Sequence, residues 1–365
     1  VGAFVAGALG GLAARPDLDV SAFAISWRRR QAIPDLVPPG VGTRQRAMPA
    51  RPLHIAWSRM SFPPVEWFVG RHQVIHGTNY VVPPTAVAAR VVTVHDLTIT
   101  RYPELCDHST LRFPALIRRA VAEGAWIHTP SVFVAEEVVE TFDIPAERVR
   151  AVHLGVPPRL ELAGDVDRLP LPFELPPGTS RYVLATGTVE PRKDYPTLVA
   201  AFTAIASSHP DVALVLVGPD GWGAASLAEA IEASPARDRI LRPGYITGEE
   251  VVLTLQRAAV VAYPSVYEGF GFPPLQAMAA GVPVVSTAVG AIPEVSGDGA
   301  RLVAGGDTDA LADALAALLD GGPEVEALVA RGHRRTESYS WEACADGLAA
   351  LYCDAWDDQR RGRRR

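Results

Sequence analysis

Glu268 and Gln276 stand eight residues apart in the run E-G-F-G-F-P-P-L-Q, with Gly269, Gly271, Pro273 and Pro274 between them. A carboxylate accepts hydrogen bonds from hydroxyls, and a carboxamide both donates and accepts. The glycines let backbone amides approach a ligand with no Cβ in the way, and the prolines suit a first helical turn, where a missing N–H costs least. Free amides and the positive end of a helix dipole favour an anion there, with phosphate the usual occupant. Phosphate in the middle with hydroxyl-binding groups on either side fits a nucleotide-sugar. The spacing alone fits equally well a solvated loop carboxylate and a surface glutamine.

Two further groups of residues could carry chemistry. Arg192 and Lys193 are adjacent cations in G-T-V-E-P-R-K-D, after an expected strand and before an expected helix. Fixed cations at such a point stabilise the charge that develops on a departing diphosphate. A pair of solvated loop charges is the plainer account of the segment in isolation. His95 and Asp96 close the apolar run Val91–Leu97, and ligands of open α/β sheets collect at that carboxyl edge. A lone histidine at a strand end is more commonly structural. His128 and Ser131 fall at the same edge, with Ser131 reading as a helix cap.

E-G-F-G-F-P-P-L-Q resembles the E-G-F-G-L-P-x-x-E signature of the retaining glycosyltransferases of family 4. G-T-V-E-P-R-K-D is similar to the G-T-L-E-P-R-K-N segment of one branch of that family, V-T-V-H-D-L to the segment whose histidine faces the donor sugar, and G-A-I-P-E-V to G-G-x-P-E-V. The resemblance implies a GT-B fold, in which two doubly wound Rossmann-like domains with parallel sheets face each other across a cleft. It implies catalytic roles for His95, Asp96, Arg192, Lys193 and Glu268. The donor-binding set it implies is Gly187, Arg192, Lys193, Gly218, Tyr245, Glu268, Gly269, Phe270, Gly271, Phe272 and Gln276. Gln276 stands where the family has a glutamate, so ribose binding passes to an amide, and Thr188 stands where other branches have an arginine, a role left to Arg192.

By that resemblance the expected reaction moves a hexose from a nucleoside-diphosphate sugar to a hydroxyl acceptor with retention. GDP-mannose is the first donor and UDP-glucose the next. No cofactor and no metal is expected: Asp17-Leu18-Asp19, Asp165-Val166-Asp167 and Asp307-Thr308-Asp309 have D-x-D spacing but fall in turns or a linker. A nucleotide-sugar epimerase of similar shape and a degenerate, non-catalytic sugar-binding protein stand as alternatives, because fold alone does not fix function.

These residues need elements to hold them, and the chain is long enough for two domains. Alternating strands and helices divide it into an N-terminal Rossmann-like domain over 1–160, a Pro- and Leu-rich linker over 161–180, and a second Rossmann-like domain over 181–338, which the resemblance implies binds the donor. The resemblance implies that a terminal helix over 339–365 crosses back to the first domain, where Trp341 and Trp356 would anchor it. Val1–Leu9 reads as a helix with no strand ahead of it, and the resembled family has a strand and a G-G-V-G loop there, so a chain lacking its true N-terminus is expected. The region Arg28–Pro52 reads as loop. Leu111, Ala115, Leu116 and Ala122 read as the apolar face of a helix.

A net charge of −7 argues against a general nucleic-acid partner. The three cysteines, Cys106, Cys344 and Cys353, form no metal-binding spacing, so a reduced, cytoplasmic protein is the expectation. Arg360, Arg361, Arg363, Arg364 and Arg365 make a basic tail, either a solvated end or a patch against anionic lipid headgroups at the inner face of a membrane. The acceptor, a glycan, glycolipid or small molecule, is not specified by any residue pattern.

Overall fold

The computed structural model describes residues 2–25, 37–46, 50–108, 110–156, 166 and 169–363. Parts of two expected segments, the 28–52 loop and the 161–180 linker, lie outside the described residues, as do Asp165, Asp167, Arg364 and Arg365. Contacts divide the chain into one unit of Val1–Gly155 with Tyr339–Arg365 and a second of Val156–Ser338.

The first unit opens with α1 (Gly2–Ala13), β1 (Ser21–Ile25) and β2 (Gly42–Arg46), the two strands pairing in parallel. Helices α2 (Ala50–Arg59) and α3 (Glu66–Val69) follow. The loop expected over 28–52 is thus corrected where it is described: β2 and the start of α2 lie inside it. G-T-R-Q-R has no apolar alternation to announce a strand, and only its pairing with β1 makes it one. The main sheet has the parallel order β3 (Val74–Gly77), β4 (Ala89–Thr93), β5 (Trp126–Thr129), β6 (Val149–Ala151).

Between these strands run α4 (Thr98–Arg101), α5 (Phe113–Ala122) and α6 (Val132–Phe142). Helix α5 buries Ile117 and Ala120, whereas Leu111 and Ala115 are exposed. The buried face runs through Ile117 and Ala120, which the expected set of Leu111, Ala115, Leu116 and Ala122 left out. Ser131 caps α6, its hydroxyl accepting from the Val134 amide at 3.2 Å. The C-terminal helix (Trp341–Gly362) packs on α1 and on β3, β4 and β5. Trp341 occupies the space beside Gly7, where any Cβ would collide with the indole.

The second unit is a six-stranded parallel sheet built from β7 (Arg181–Thr186), β8 (Val212–Val217), β9 (Ile240–Gly244), β10 (Val260–Tyr263), β11 (Val284–Thr287) and β12 (Arg301–Val303). The aliphatic run V-A-L-V-L-V of β8 is buried at every position, as a strand covered on both faces must be. Its helices are α7 (Tyr195–Ile205), α8 (Ala224–Ala233), α9 (Glu249–Gln256), α10 (Phe272–Ala279), α11 (Ile292–Ser296), α12 (Thr308–Asp320) and α13 (Pro323–Thr336). Helices α7 and α12 pack together, as do α10 and α13. Leu311, Ala314, Leu315 and Leu318 of α12 are buried.

The strand order is β12-β11-β10-β7-β8-β9. Connections from β7 run one way across the sheet and those from β10 the other. The reversal lies between β7 and β10, and in open α/β sheets such a switch point is where ligands bind, at the carboxyl ends.

Candidate active site

The two segments with the strongest chemical pattern leave the two strands that flank the switch point. Pro191–Lys193 forms a short turn after β7. The Glu268–Phe272 turn follows β10 and enters α10. The loops are tied directly, since the Val266 amide donates to the Arg192 carbonyl at 2.8 Å.

Arg192 and Lys193 converge on one carboxylate oxygen. Lys193 Nζ lies 2.8 Å from Glu268 Oε1, and Arg192 Nη1 lies 2.6 Å from the same atom. Lys193 Nζ also donates to the Tyr263 hydroxyl at 2.5 Å, and Arg192 Nη1 to the Tyr267 carbonyl at 2.9 Å. Glu190 Oε2 stands 3.5 Å from Arg192 Nη2. Lys193 and Glu268 are both 7% exposed. Burial pushes the Glu268 carboxyl up, but the Arg192 and Lys193 charges outweigh it and hold it at about 2. Burial pushes the Lys193 ammonium down, with Glu268 opposing. The Glu268 carboxyl is therefore ionised across the physiological range, and the cluster pairs two cations with two carboxylates.

The glycine turn sits directly on this cluster. Gly269 and Gly271 are buried, as is Phe270, whose ring lies 6.2 Å from that of Phe272. Gly271 has φ 91° and precedes the first turn of α10; a Cβ there would collide with the Ile292 side chain. Only glycine meets both demands. Gln276 lies half-buried in α10. The Phe272 amide and the dipole of α10 thus start four residues after the carboxylate that the two cations share, while Pro273 and Pro274 contribute no N–H to that turn.

Gly187 and Gly218 knit the loops after β7 and β8. The Gly187 amide donates to the Val217 carbonyl at 2.9 Å, and a Cβ on Gly218 would collide with the Gly187 carbonyl. The buried Tyr195 hydroxyl donates to that same carbonyl at 3.3 Å. Tyr245, just beyond β9, is 73% exposed.

His95 and Asp96 belong to the first unit, just past β4, and each has a partner there. His95 Nε2 lies 2.9 Å from the Thr78 carbonyl, so it carries the proton, and its ring meets Phe4 edge-on at 5.5 Å. Asp96 Oδ1 accepts from the Thr98 amide at 2.9 Å at the start of α4. Of the D-x-D aspartates, Asp307 caps α12 through the Ala310 amide and Asp17 pairs with Arg15.

Sequence reasoning missed three participants. Glu190 was visible inside the G-T-V-E-P-R-K-D run but not as a partner of Arg192. Tyr263 closes an otherwise aliphatic strand, which was the signal available for it. The third is a polar chain inside the first unit. His128 Nε2 faces the Val152 carbonyl at 3.1 Å and must donate, so Nδ1 accepts from Thr93 Oγ1 at 2.9 Å. Thr93 Oγ1 then accepts from His76 Nε2 at 2.7 Å, which leaves His76 Nδ1 to accept from the Tyr352 hydroxyl at 2.7 Å. With both rings kept neutral by burial, every proton of the chain is thereby assigned. Burial holds His128 down at about 4 and His76 well below its ordinary value.

Residues 171–335 match the family described as Glycosyl transferases group 1. The chain is 30% identical over 281 residues to the O-antigen chain mannosyltransferase B of Escherichia coli, which covers 76% of this chain and 74% of that protein. It is 31% identical over 249 residues to the MMP alpha-(1->4)-mannosyltransferase of Mycolicibacterium hassiacum, covering 66% of this chain and 56% of that one. The chain thus spans little more than half the length of some curated relatives. Among solved structures it is similar to the sucrose-phosphate synthase of Thermosynechococcus elongatus, with TM-score 0.75, 22% identity and coverage of 97% and 93%. It is also similar to Anabaena HepE in complex with UDP-glucose, with TM-score 0.70, 17% identity and coverage of 97% and 96%. These likenesses establish a GT-B fold of parallel α/β sheets.

Proposed function

The chain belongs to the group 1 glycosyl transferases, and from that membership we propose that it moves a hexose, mannose first, from a nucleoside-diphosphate sugar to a hydroxyl acceptor with retention. The observation that carries this reading is the meeting of Arg192 and Lys193 on Glu268, at the mouth of the Gly271 turn, beside the switch point of the sheet. The diphosphate takes the amides around Gly271 and Phe272 and the two cations, and the Glu268 carboxylate accepts from sugar hydroxyls. Gln276 serves the ribose. Sugar contacts by His95 and Asp96 belong to the proposal through the V-T-V-H-D-L resemblance.

In the proposed step the acceptor oxygen bonds to the anomeric carbon on the face from which the phosphate departs. The bond from that carbon to the phosphate oxygen breaks, and the acceptor proton passes to the leaving phosphate. The protein then supplies positioning and charge stabilisation. The charge on the leaving group is met by Arg192 and Lys193, and no divalent metal or cofactor enters the step. Two named mannosyltransferases among the relatives support mannose. GDP-mannose is the first donor, and the UDP-glucose bound by the HepE relative keeps that donor second. Family 4 membership, a place in glycan or polysaccharide synthesis, and a cytoplasmic site with the arginine-rich end against anionic lipid complete the proposal.

A thermal-shift series with GDP, UDP, ADP and their sugars identifies the nucleotide, because a ligand bound only by the folded chain raises the melting point with its excess over Kd. Turnover of the preferred donor with a mannoside acceptor, and the anomeric configuration of the product by NMR, test the reaction. An altered free sugar released with no acceptor would overturn transfer in favour of epimerisation. Binding without turnover would leave a sugar-binding protein.

A further inference from the structure

Four of the large apolar side chains exposed among the described residues, Ile55, Met60, Phe62 and Trp67, fall within 55–67. Phe62 is 54% and Trp67 64% exposed, and their rings meet edge-on at 4.9 Å. The helical period explains the placement. Leu53 and Trp57 of α2 are buried one turn apart, which turns Ile55 outward with Arg59 one turn further on. Val65 at the start of α3 and Val69 at its end are buried likewise and turn Trp67 outward. Phe62 and Trp67, exposed and in contact with each other, form apolar surface of the kind that marks an interaction site.

The charge around it identifies the partner. Among the described side chains of residues 42–72, Arg44, Arg59 and Arg71 stand exposed against a single acid, Glu66, in a chain of net charge −7. That acid is occupied, its carboxylate accepting from the amides of Ala86, Val87 and Ala88 at 2.9–3.1 Å. Glu123, which accepts from Ser61, is paired with Arg90 and Arg119. On the other side of the same turn, the Ala86 carbonyl accepts from Arg363. The arginine-rich end of the C-terminal helix, with Arg360 and Arg361, thus meets the helix that carries Trp67 at residues 86–88.

We propose that this face docks on an anionic lipid surface, with Phe62 and Trp67 at headgroup depth and arginines from both stretches pairing with lipid phosphates. Tryptophan suits that depth because its ring is apolar and its N–H polar, and guanidinium groups pair with phosphate in two-pronged fashion. The inference deepens the lipid contact of the proposed function, and its test uses no donor or acceptor. Failure here and failure of the transferase reading are therefore separate results.

The test is flotation of the full chain with phosphatidylglycerol-containing vesicles and with pure phosphatidylcholine vesicles. Binding to the anionic vesicles that weakens as salt is raised is expected. The Phe62→Ser/Trp67→Ser variant is expected to lose about tenfold or more in vesicle affinity with an unchanged melting point. If that variant does not fold, Arg59→Glu/Arg361→Glu carries the same expectation. Absence of binding to anionic vesicles, or full binding by the folded variants, overturns the proposal. So does a wild-type dimer that the variants convert to monomer, which would assign the face to a second copy of the chain.

Discussion

Lys193 and Glu268 are 75 residues apart in sequence, yet their charged atoms lie 2.8 Å apart and both side chains are buried. Arg192 shares the same oxygen at 2.6 Å. Glu268→Ala leaves a buried ammonium without its counter-charge, so the loss is expected to be about 3–5 kcal/mol. Adding Lys193→Met should recover most of it. Urea unfolding of the two single variants and the double variant checks this, and losses that simply add would mean the pair is uncoupled.

The same cations are asked to stabilise the leaving diphosphate. Arg192→Ala and Lys193→Met are each expected to lower kcat about 10²–10³-fold, the range for removing one preorganised donor. Steady-state kinetics at varied donor concentration separates this from weaker binding. A change confined to KM would remove both residues from the chemical step.

Gly271 holds φ 91° against Ile292. Gly271→Ala combines a left-handed backbone with a side-chain collision, and an expected cost of about 1–3 kcal/mol follows. Ile292→Ala in that background relieves only the collision. Melting points with and without nucleoside diphosphate should show the double variant partly restored in stability while donor stabilisation remains weak.

The neutral histidine chain gives the first unit a pH dependence of known sign. His128 is held at about 4 when folded and titrates near 6.5 when unfolded. The unfolded chain therefore binds more protons between those values, and stability present above pH 6.5 is lost as pH falls toward 4. The contribution is about 3 kcal/mol at one histidine. Urea unfolding at stepped pH should give a flatter slope over that window for His128→Gln than for the wild type. Equal slopes would sink the assignment.

With Asp307 committed to capping α12 and Asp17 paired with Arg15, excess EDTA is expected to leave transfer unchanged. A loss that added magnesium or manganese restores would contradict the proposed step.

What could be read from the sequence tracks how each element is stabilised. The strands of the second unit are aliphatic on both faces, so V-A-L-V-L-V and V-V-A-Y were legible as buried parallel strands. Strand β2 and helix α2 were not, since G-T-R-Q-R and A-R-P-L-H show no clean apolar period. The face of α5 was misplaced because A-L-I-R-R-A-V-A carries apolar residues on more than one side of the helix. At the site, residue types revealed an anion-binding turn and a cation pair. That the cations meet Glu268 depends on β7 and β10 being neighbours, a tertiary fact with no local trace. The Tyr352–His76–Thr93–His128 chain was hidden likewise, being assembled from three strands or strand edges and a helix more than 200 residues distant.

The first unit takes its last helix from Tyr339–Arg365, after the whole of Val156–Ser338 has intervened. A ribosome therefore delivers every strand of the second unit before it delivers Tyr352 and Trp341. During synthesis, the early strands must wait, with the cavity beside Gly7 unfilled and His76 lacking its phenol, while the later-made unit is already able to close. The nascent half-finished sheet is the stage at which this protein should most need a chaperone.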